Sequence, residues 1–380
     1  MCLIYLPLVK PALREVGVED LELLVVDDGS SDKTVEIAQG INGVSLIQHE
    51  QNKGYGGALK TGFGKARGEL IGFLEADGTY PPEYFPQLCK AALNGSDLVI
   101  GSRMAGADSQ MPLTRRVGNF FFANLLSLIG RKRVTDSASG MRVFKKDLLS
   151  RIYPLPDGLN LTPVMSTRAV HENVAMKEIP IPYSERLGRS KLSVVHDGRL
   201  FLQSMIWTAL TYNPVRILGL AGMAALALAG LILLAVVGAR ISGVTSLDAL
   251  GVTGIFVAMV AAVSGVSLFA LGVTFNYTVS IFHKRPIRQG TFGKPIFKTP
   301  LNHHFGWAGT LCLGAGLVAG IVSISLGFNG WPIERLWLYL AGSAMTFLVG
   351  IQLVIYWVLL RILEELGRRE DETNKDLGIA

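Results

Sequence analysis

From residue 21 to residue 101, short apolar runs alternate with amphipathic stretches. Residues 21–26, 44–48, 70–74 and 97–101 are rich in Val, Ile and Leu, and helix-like segments lie between them at 33–39, 57–66 and 82–93. Near-continuous apolar strands separated by helices predict an α/β domain on a parallel sheet covered on both faces, with ligands beyond the carboxyl ends of the strands. Further along the pattern changes. No charged residue lies between Arg216 and Arg240, Asp248 and His283, His304 and Glu334, or Arg335 and Arg361. Each interval exceeds the roughly 20 apolar residues that cross a bilayer as a helix. Four spans are predicted, at about 216–239, 250–281, 306–328 and 337–361, the second long enough to tilt and extend into the interface.

Ahead of the spans Leu202, Met205, Ile206, Ala209 and Leu210 recur at helical spacing, with Trp207 nearby and Asn213-Pro214 as a stop. This predicts an amphipathic helix lying in the membrane interface, a core helix of the α/β domain being the alternative. The expected organisation is therefore an α/β domain at 1–193, the interfacial helix at 194–213, an all-α transmembrane domain at 214–363 and a tail at 364–380. The tail mixes charges and is expected to be a solvated helix end followed by disorder.

Composition narrows the class. Of 380 residues 49% are hydrophobic and 17% charged, with a net charge of +6, which excludes intrinsic disorder and an ordinary all-soluble protein. Cys2, Cys89 and Cys312 are too few for a disulfide framework or a cysteine zinc site. The apolar stretch at 1–7 lacks the basic flank of a signal peptide. Between the second and third spans stand Lys284, Arg285, Arg288, Lys294 and Lys298 with no acid. By the positive-inside rule that loop is cytoplasmic, as are the α/β domain and the C-terminus, giving a multi-pass protein of the cell membrane. The same loop meeting anionic lipid accounts for much of the basic excess, so nucleic acid is not an expected partner.

Candidate chemistry follows the strands. After the first come Asp27-Asp28-Gly29-Ser30-Ser31-Asp32; helix capping explains the serines and one aspartate, but not two aspartates at a strand end, which can accept bonds from a base or ribose. Asn52-Lys53-Gly54-Tyr55-Gly56-Gly57 opens a helix with three glycines, a shape that suits a phosphate and is also a common turn. Glu75-Ala76-Asp77-Gly78 can chelate a hard divalent cation together with diphosphate oxygens, or be simply an Asp-Gly turn. Arg103, Arg115-Arg116, Arg142, Arg186 and Arg189 suggest one or two anionic substrates, although surface arginines more often pair with acids or lipid.

Read in order, VVDDGSSDKT, NKGYGGALKTGF, EADGTYPPE, LVIGSR, TDSASGMRVFKK and KEIPIPYSERLGRSKL resemble the family 2 glycosyltransferases of GT-A (Rossmann-like) fold, in particular the polyprenyl-phosphate (dolichyl- or undecaprenyl-phosphate) mannosyl- and glucosyltransferases with a C-terminal membrane domain. The resemblance covers about residues 21–192. It implies transfer of a hexose from GDP-mannose or UDP-glucose to a polyprenyl phosphate, with Mg2+ or Mn2+ as cofactor. The partners implied are a nucleotide sugar donor, a polyprenyl phosphate acceptor and the lipid bilayer; homo-oligomerisation is left open. By the same resemblance Asp27, Asp28, Asn52, Lys53 and Gly54 contact the nucleotide, and Glu75 and Asp77 hold the metal. Arg103, Arg116 and Arg142 hold the acceptor phosphate or the sugar diphosphate beside Asp77, and Arg186, Ser190 and Lys191 close over the donor.

Two departures stand out. The family begins with a strand and a Pro-x-x-Asn-Glu-like segment, which residues 1–20 do not contain, so the sheet is expected to lack a central strand; and Glu75 stands where Asp is usual. A degenerate, non-catalytic membrane scaffold is the alternative that the first departure supports. A processive polysaccharide synthase is the other alternative, and Gln203-Ser204-Met205-Ile206-Trp207 lacks the arginine of its Gln-x-x-Arg-Trp signature.

Overall fold

Among the described residues six strands pair in two ladders. In the computed structural model, which describes residues 6–75, 77–104, 109–130, 132–185, 193–243, 248–283 and 302–376, the chain forms two compact units, Met1–Ala209 and Leu210–Ala380. The first contains α1 (Leu6–Glu15), β1 (Leu23–Asp27), α2 (Thr34–Gln39), β2 (Val44–Gln48), α3 (Tyr55–Lys65), β3 (Leu70–Phe73), α4 (Phe85–Leu93), β4 (Leu98–Ser102), α5 (Leu113–Gly130), β5 (Arg142–Lys145), α6 (Leu148–Ile152), α7 (Leu161–His171), β6 (Met176–Pro180) and most of α8 (Val194–Tyr212).

The parallel pair β1–β2 runs from Leu23 opposite Val44 to Asp27 opposite Gln48. The other ladder has the order β3-β5-β4-β6. β5 is antiparallel to both β3 and β4, whereas β4 and β6 are parallel, so the all-parallel expectation is corrected to a mixed sheet. The reason is that β5 enters after the long excursion through α5 and can approach from the opposite direction. Leu23 to Val26 of β1 are only half-buried although all are apolar, in keeping with a strand paired along one edge among the described residues.

Two cores cover the second ladder. On one side Phe63, Phe73 and Phe144 meet, with Phe63 and Phe144 edge to face at 5.2 Å, among Leu98, Ile100, Leu161 and Met165. On the other, Val99, Met141, Val143 and Ile181 pack with Leu88 and Ala92 of α4 and Leu13 of α1. Alternating residues of β4 and β5 thus serve opposite faces, as a strand's period of two requires.

The helix expected in the membrane interface packs one face on its own domain. Met205 and Ala209 of α8 are fully buried, Met205 in a cluster with Leu126, Val134 and Val170, and Ser204 Oγ accepts a 2.7 Å bond from Asn160 Nδ2. The face chosen from spacing is therefore the one the domain covers, and Trp207 lies on the exposed side. Another helix keeps an uncovered apolar face. On α5 Leu113, Val117, Phe120, Phe121 and Leu128 are all exposed, on one helical face by their spacing of i, i+4, i+7, i+8 and i+15.

The second unit contains α9 (Pro214–Ile241), α10 (Ala249–His283), α11 (Asn302–Phe328) and α12 (Ile333–Asp376). Each contains a stretch long and apolar enough to cross a membrane: Pro214–Ala239, Ala249–Phe282, His303–Phe328 and Leu336–Arg369. The basic loop used for orientation lies outside the described residues. α12 continues to Asp376, so residues 364–376 form the helix end expected of the charged tail; Arg368 reaches Glu365 at 2.9 Å and Glu372 at 3.9 Å along one face. The helices pair through glycines. A Cβ on Gly222 of α9 would stand 2.6 Å from the Gly265 carbonyl oxygen of α10, and one on Gly350 of α12 would stand 2.9 Å from that of Gly309 on α11. Backbones approach this closely only where side chains are absent.

Candidate active site

The two aspartates at the end of β1 are occupied by the chain itself. The buried Asp27 carboxylate accepts Ser30 N at 3.3 Å. Asp28 Oδ1 accepts Lys53 N at 2.8 Å and lies 2.7 Å from His49 Nδ1, Asp28 Oδ2 accepts Gly54 N at 2.8 Å, and Asn52 Nδ2 donates to the Asp28 carbonyl at 2.9 Å. Burial opposes ionisation of Asp28, but the bonds from His49, Lys53 and Gly54 outweigh it and hold the carboxyl below its ordinary value. Asp32 accepts Thr34 N at 3.0 Å just ahead of α2, whose N-cap position is Lys33 and carries no side-chain cap bond.

The glycine-rich turn is likewise committed. Lys53 N and Gly54 N point at Asp28, and Gly57 N donates to the Asp157 carbonyl at 3.1 Å. A Cβ on Gly56 would collide with the Pro156 carbonyl oxygen, and one on Gly54, at φ +86°, would sit 2.8 Å from that of Asp157. These glycines admit the 156–157 backbone, which Lys60 secures through Asp157 Oδ1 at 2.5 Å and the Leu155 carbonyl at 3.0 Å. The phosphate-cradle expectation is corrected for these amides. The side chains of Asn52 and Lys53 remain exposed.

Beyond β3, Asp77 Oδ1 accepts Thr79 N at 3.1 Å and Thr79 Oγ1 at 2.6 Å, which orients its carboxylate. Glu75 turns inward. Its carboxylate fills the space a side chain at Gly140 would need, and it bears electrostatically on Tyr55 and Tyr80; burial foremost, with the Glu75 charge, pushes both hydroxyls up and keeps them protonated. Tyr80 Oη accepts Gly140 N at 2.7 Å. Among the described residues no three His, Cys, Asp or Glu side chains converge. The hard oxygens of Asp77 and Glu75 suit Mg2+ or Mn2+ if diphosphate and water complete the shell.

Arg103 follows β4 and is held in a fork: Nε and Nη2 donate to Asp136 Oδ2 and Oδ1 at 2.7 and 2.8 Å, and its backbone N to Oδ2 at 3.0 Å. Its guanidinium lies over Tyr80 and Tyr183, 5.8 and 5.4 Å from the ring centroids. Burial works against both charges; Arg103 more than offsets this for Asp136, whose carboxyl is held below its ordinary value, and Asp136 does the same for Arg103. Glu178 of β6 fixes the loop from behind, accepting Thr135 N at 2.9 Å and Asp136 N at 3.0 Å.

Arg142 lies deeper than expected. It is fully buried, with Nε on the Ser139 carbonyl and Nη2 on the Ser137 carbonyl, each at 2.9 Å, and Nη1 without a hydrogen-bond partner. Burial pushes it down to about 10. It staples the 137–139 turn from within, so the expectation that it holds a substrate phosphate is corrected. Arg116 is exposed on α5 and is not brought into this cluster. Arg186, Ser190 and Lys191 lie outside the described residues.

Sequence reading missed His49, Thr61, Tyr80, Tyr183 and Glu178. Tyr80 stands two residues beyond the acid motif and His49 directly follows β2, so the rule of inspecting residues after strands would have found both. Glu178 sits inside a strand, where nothing local marks it.

Acids after β1 and β3 and a paired arginine after β4 thus stand at strand ends of an α/β unit, where ligands bind in such folds, in a chain that continues into four helices long and apolar enough to cross a membrane. The sequence pattern of glycosyl transferase family 2 matches residues 7–153, and a domain of unknown function (DUF8752) matches 214–374. A dolichyl-phosphate hexose transferase of Haloferax volcanii is 32% identical over 183 residues, 48% of this chain and 79% of that protein. The chain belongs to glycosyl transferase family 2, and its α/β unit has the GT-A fold. A dolichol-phosphate mannosyltransferase of Pyrococcus furiosus is 30% identical over 179 residues, 45% of this chain and half of the relative. The crystal structure of glucosyl-3-phosphoglycerate synthase from Mycobacterium tuberculosis, with Mn2+, uridine diphosphate and phosphoglyceric acid, superposes at TM-score 0.43 and 19% identity, over 53% of this chain and 74% of that one.

Proposed function

We propose that the protein transfers a hexose from a nucleotide sugar, GDP-mannose or UDP-glucose, to a polyprenyl phosphate at a membrane surface. The observation that carries this reading is the similarity to a dolichyl-phosphate hexose transferase over 183 residues of a chain that goes on into four apolar helices. The exposed apolar face of α5, with Arg116 on its second turn, adds support, since a lipid acceptor must be met at a bilayer.

A lipid phosphate is anionic at neutral pH, so its attack on the sugar C1 needs no strong base, and the harder task is to stabilise the departing nucleoside diphosphate. Asp77, its carboxylate oriented by Thr79, and Glu75 would hold a divalent cation, which when bound supplies charge neutralisation at the diphosphate. Arg103, fixed by Asp136 and flanked by Tyr80 and Tyr183, holds an anion at a set place. The side chains of Asn52 and Lys53 face the nucleotide. In this reading the α/β domain and the C-terminus are cytoplasmic.

The test is transfer of radiolabelled sugar from GDP-mannose and, separately, UDP-glucose to a polyprenyl phosphate in membranes containing the full chain and Mg2+ or Mn2+. One donor gives labelled lipid, and Asp77→Asn lowers its formation by a factor on the order of 100 or more. Absence of lipid product from both donors overturns the reading.

A further inference from the structure

Behind the Asn52–Lys53–Gly54 turn lies a buried polar chain. The His49 side chain is 4% exposed; Nδ1 lies 2.7 Å from Asp28 Oδ1 and Nε2 2.9 Å from Thr61 Oγ1 on α3. Asp28, being ionised, can only accept, so Nδ1 carries a proton, and in a neutral ring Nε2 accepts from the Thr61 hydroxyl. Asp28 in turn takes the amides of Lys53 and Gly54, and His49 N donates to the Asp27 carbonyl at 2.9 Å. One imidazole thus ties the end of β1, the end of β2 and helix α3 to the turn that presents Asn52 and Lys53.

We propose that His49 is a positioning residue for the sugar-nucleotide donor: through Asp28 it sets the backbone of residues 52–54, and so the place of the Asn52 and Lys53 side chains, without touching the donor. The inference rests on the proposed reading, in which this turn faces the nucleotide. A buried hydrogen bond to an ionised partner orients it as well as stabilising it, and loss of one partner leaves the other unsatisfied. The two ring nitrogens have separable duties. An asparagine places its amide nitrogen where Nδ1 stood, toward Asp28, whereas a glutamine reaches the position of Nε2, toward Thr61.

The test uses the full chain in detergent or membranes with two readouts. By hydrogen exchange, His49→Ala speeds exchange of the peptide covering residues 49–57 by about tenfold or more, corresponding to roughly 1.4 kcal/mol of opening free energy, while peptides from β4 and α7 keep their rates. His49→Asn restores most of the protection and His49→Gln does not. In steady-state transfer, His49→Ala raises KM for the sugar nucleotide about tenfold with KM for the lipid phosphate unchanged. Unchanged exchange at 49–57 overturns the proposal, and so does an equal rise across β4 and α7 or an equal rise in both KM values, which marks a merely structural residue. If the wild-type chain transfers no sugar from either donor, the transferase reading fails, and the exchange pattern alone decides whether His49 holds the turn.

Discussion

Asp136 gives both oxygens to Arg103 with no exposure of its own, so neither charge can be removed alone without stranding the other. Asp136→Ala is expected to destabilise the α/β unit by about 3–5 kcal/mol, read as a lowered melting temperature of the detergent-solubilised chain. Arg103→Lys keeps the charge, loses the fork, and is expected to lower kcat/KM by roughly 100-fold with a smaller loss of stability. Acid acts through the same kind of group. Asp28, Asp136 and Asp97, whose Oδ1 accepts Lys145 Nζ at 2.9 Å, are held below the ordinary carboxylate value, so their native-state contribution is complete above the unfolded value of about 4 and fades as pH falls through the lower folded values. A fluorescence titration should show stability constant from pH 7 to about 5 and falling below about 4, less steeply in Asp97→Asn. At this scale the sequence displayed the charges but not their partners. Arg103 and Asp136 are 33 residues apart, and no local pattern distinguishes an arginine paired at a site from Arg142, sealed inside the fold.

Elements were more legible than the contacts that join them. Strands β1 to β4 lie within two residues of the apolar runs, and α2, α3 and α4 follow where helical spacing placed them, because burial of a sheet and one helix stripe writes a period into the chain. β5 escaped because Arg-Val-Phe-Lys is short and begins and ends in charge, and its first residue is buried by carbonyls rather than by apolar neighbours. α8 was found and its apolar face identified, yet spacing alone cannot say whether protein or lipid covers such a face. The turn at 52–57 shows the same ambiguity in glycine. Gly56→Ala would drive a methyl into the Pro156 carbonyl and is expected to cost about 1–3 kcal/mol, measured by thermal melting, and to loosen protection across 54–58 in hydrogen exchange.

Over the whole molecule, the four apolar stretches were the most legible feature, since crossing about 30 Å of hydrocarbon leaves no room for charge. The apolar face of α5 was not legible, because the pattern resembles that of a core helix. Phe120→Glu with Phe121→Glu is expected to leave melting of the α/β unit within about 1 kcal/mol, as both rings are exposed, while raising KM for the lipid acceptor several-fold and leaving KM for the donor unchanged. Within the membrane unit the glycine contacts of α9 with α10 and of α11 with α12 bear on how freely this half of the chain can drift in evolution. Outward leucines and valines exchange among themselves at little loss, whereas any added carbon at Gly222, Gly265, Gly309 or Gly350 prises a helix pair apart. A saturation library selected for folded protein would trace two narrow intolerant seams through an otherwise permissive surface, so two homologous bundles could share little sequence and still superpose.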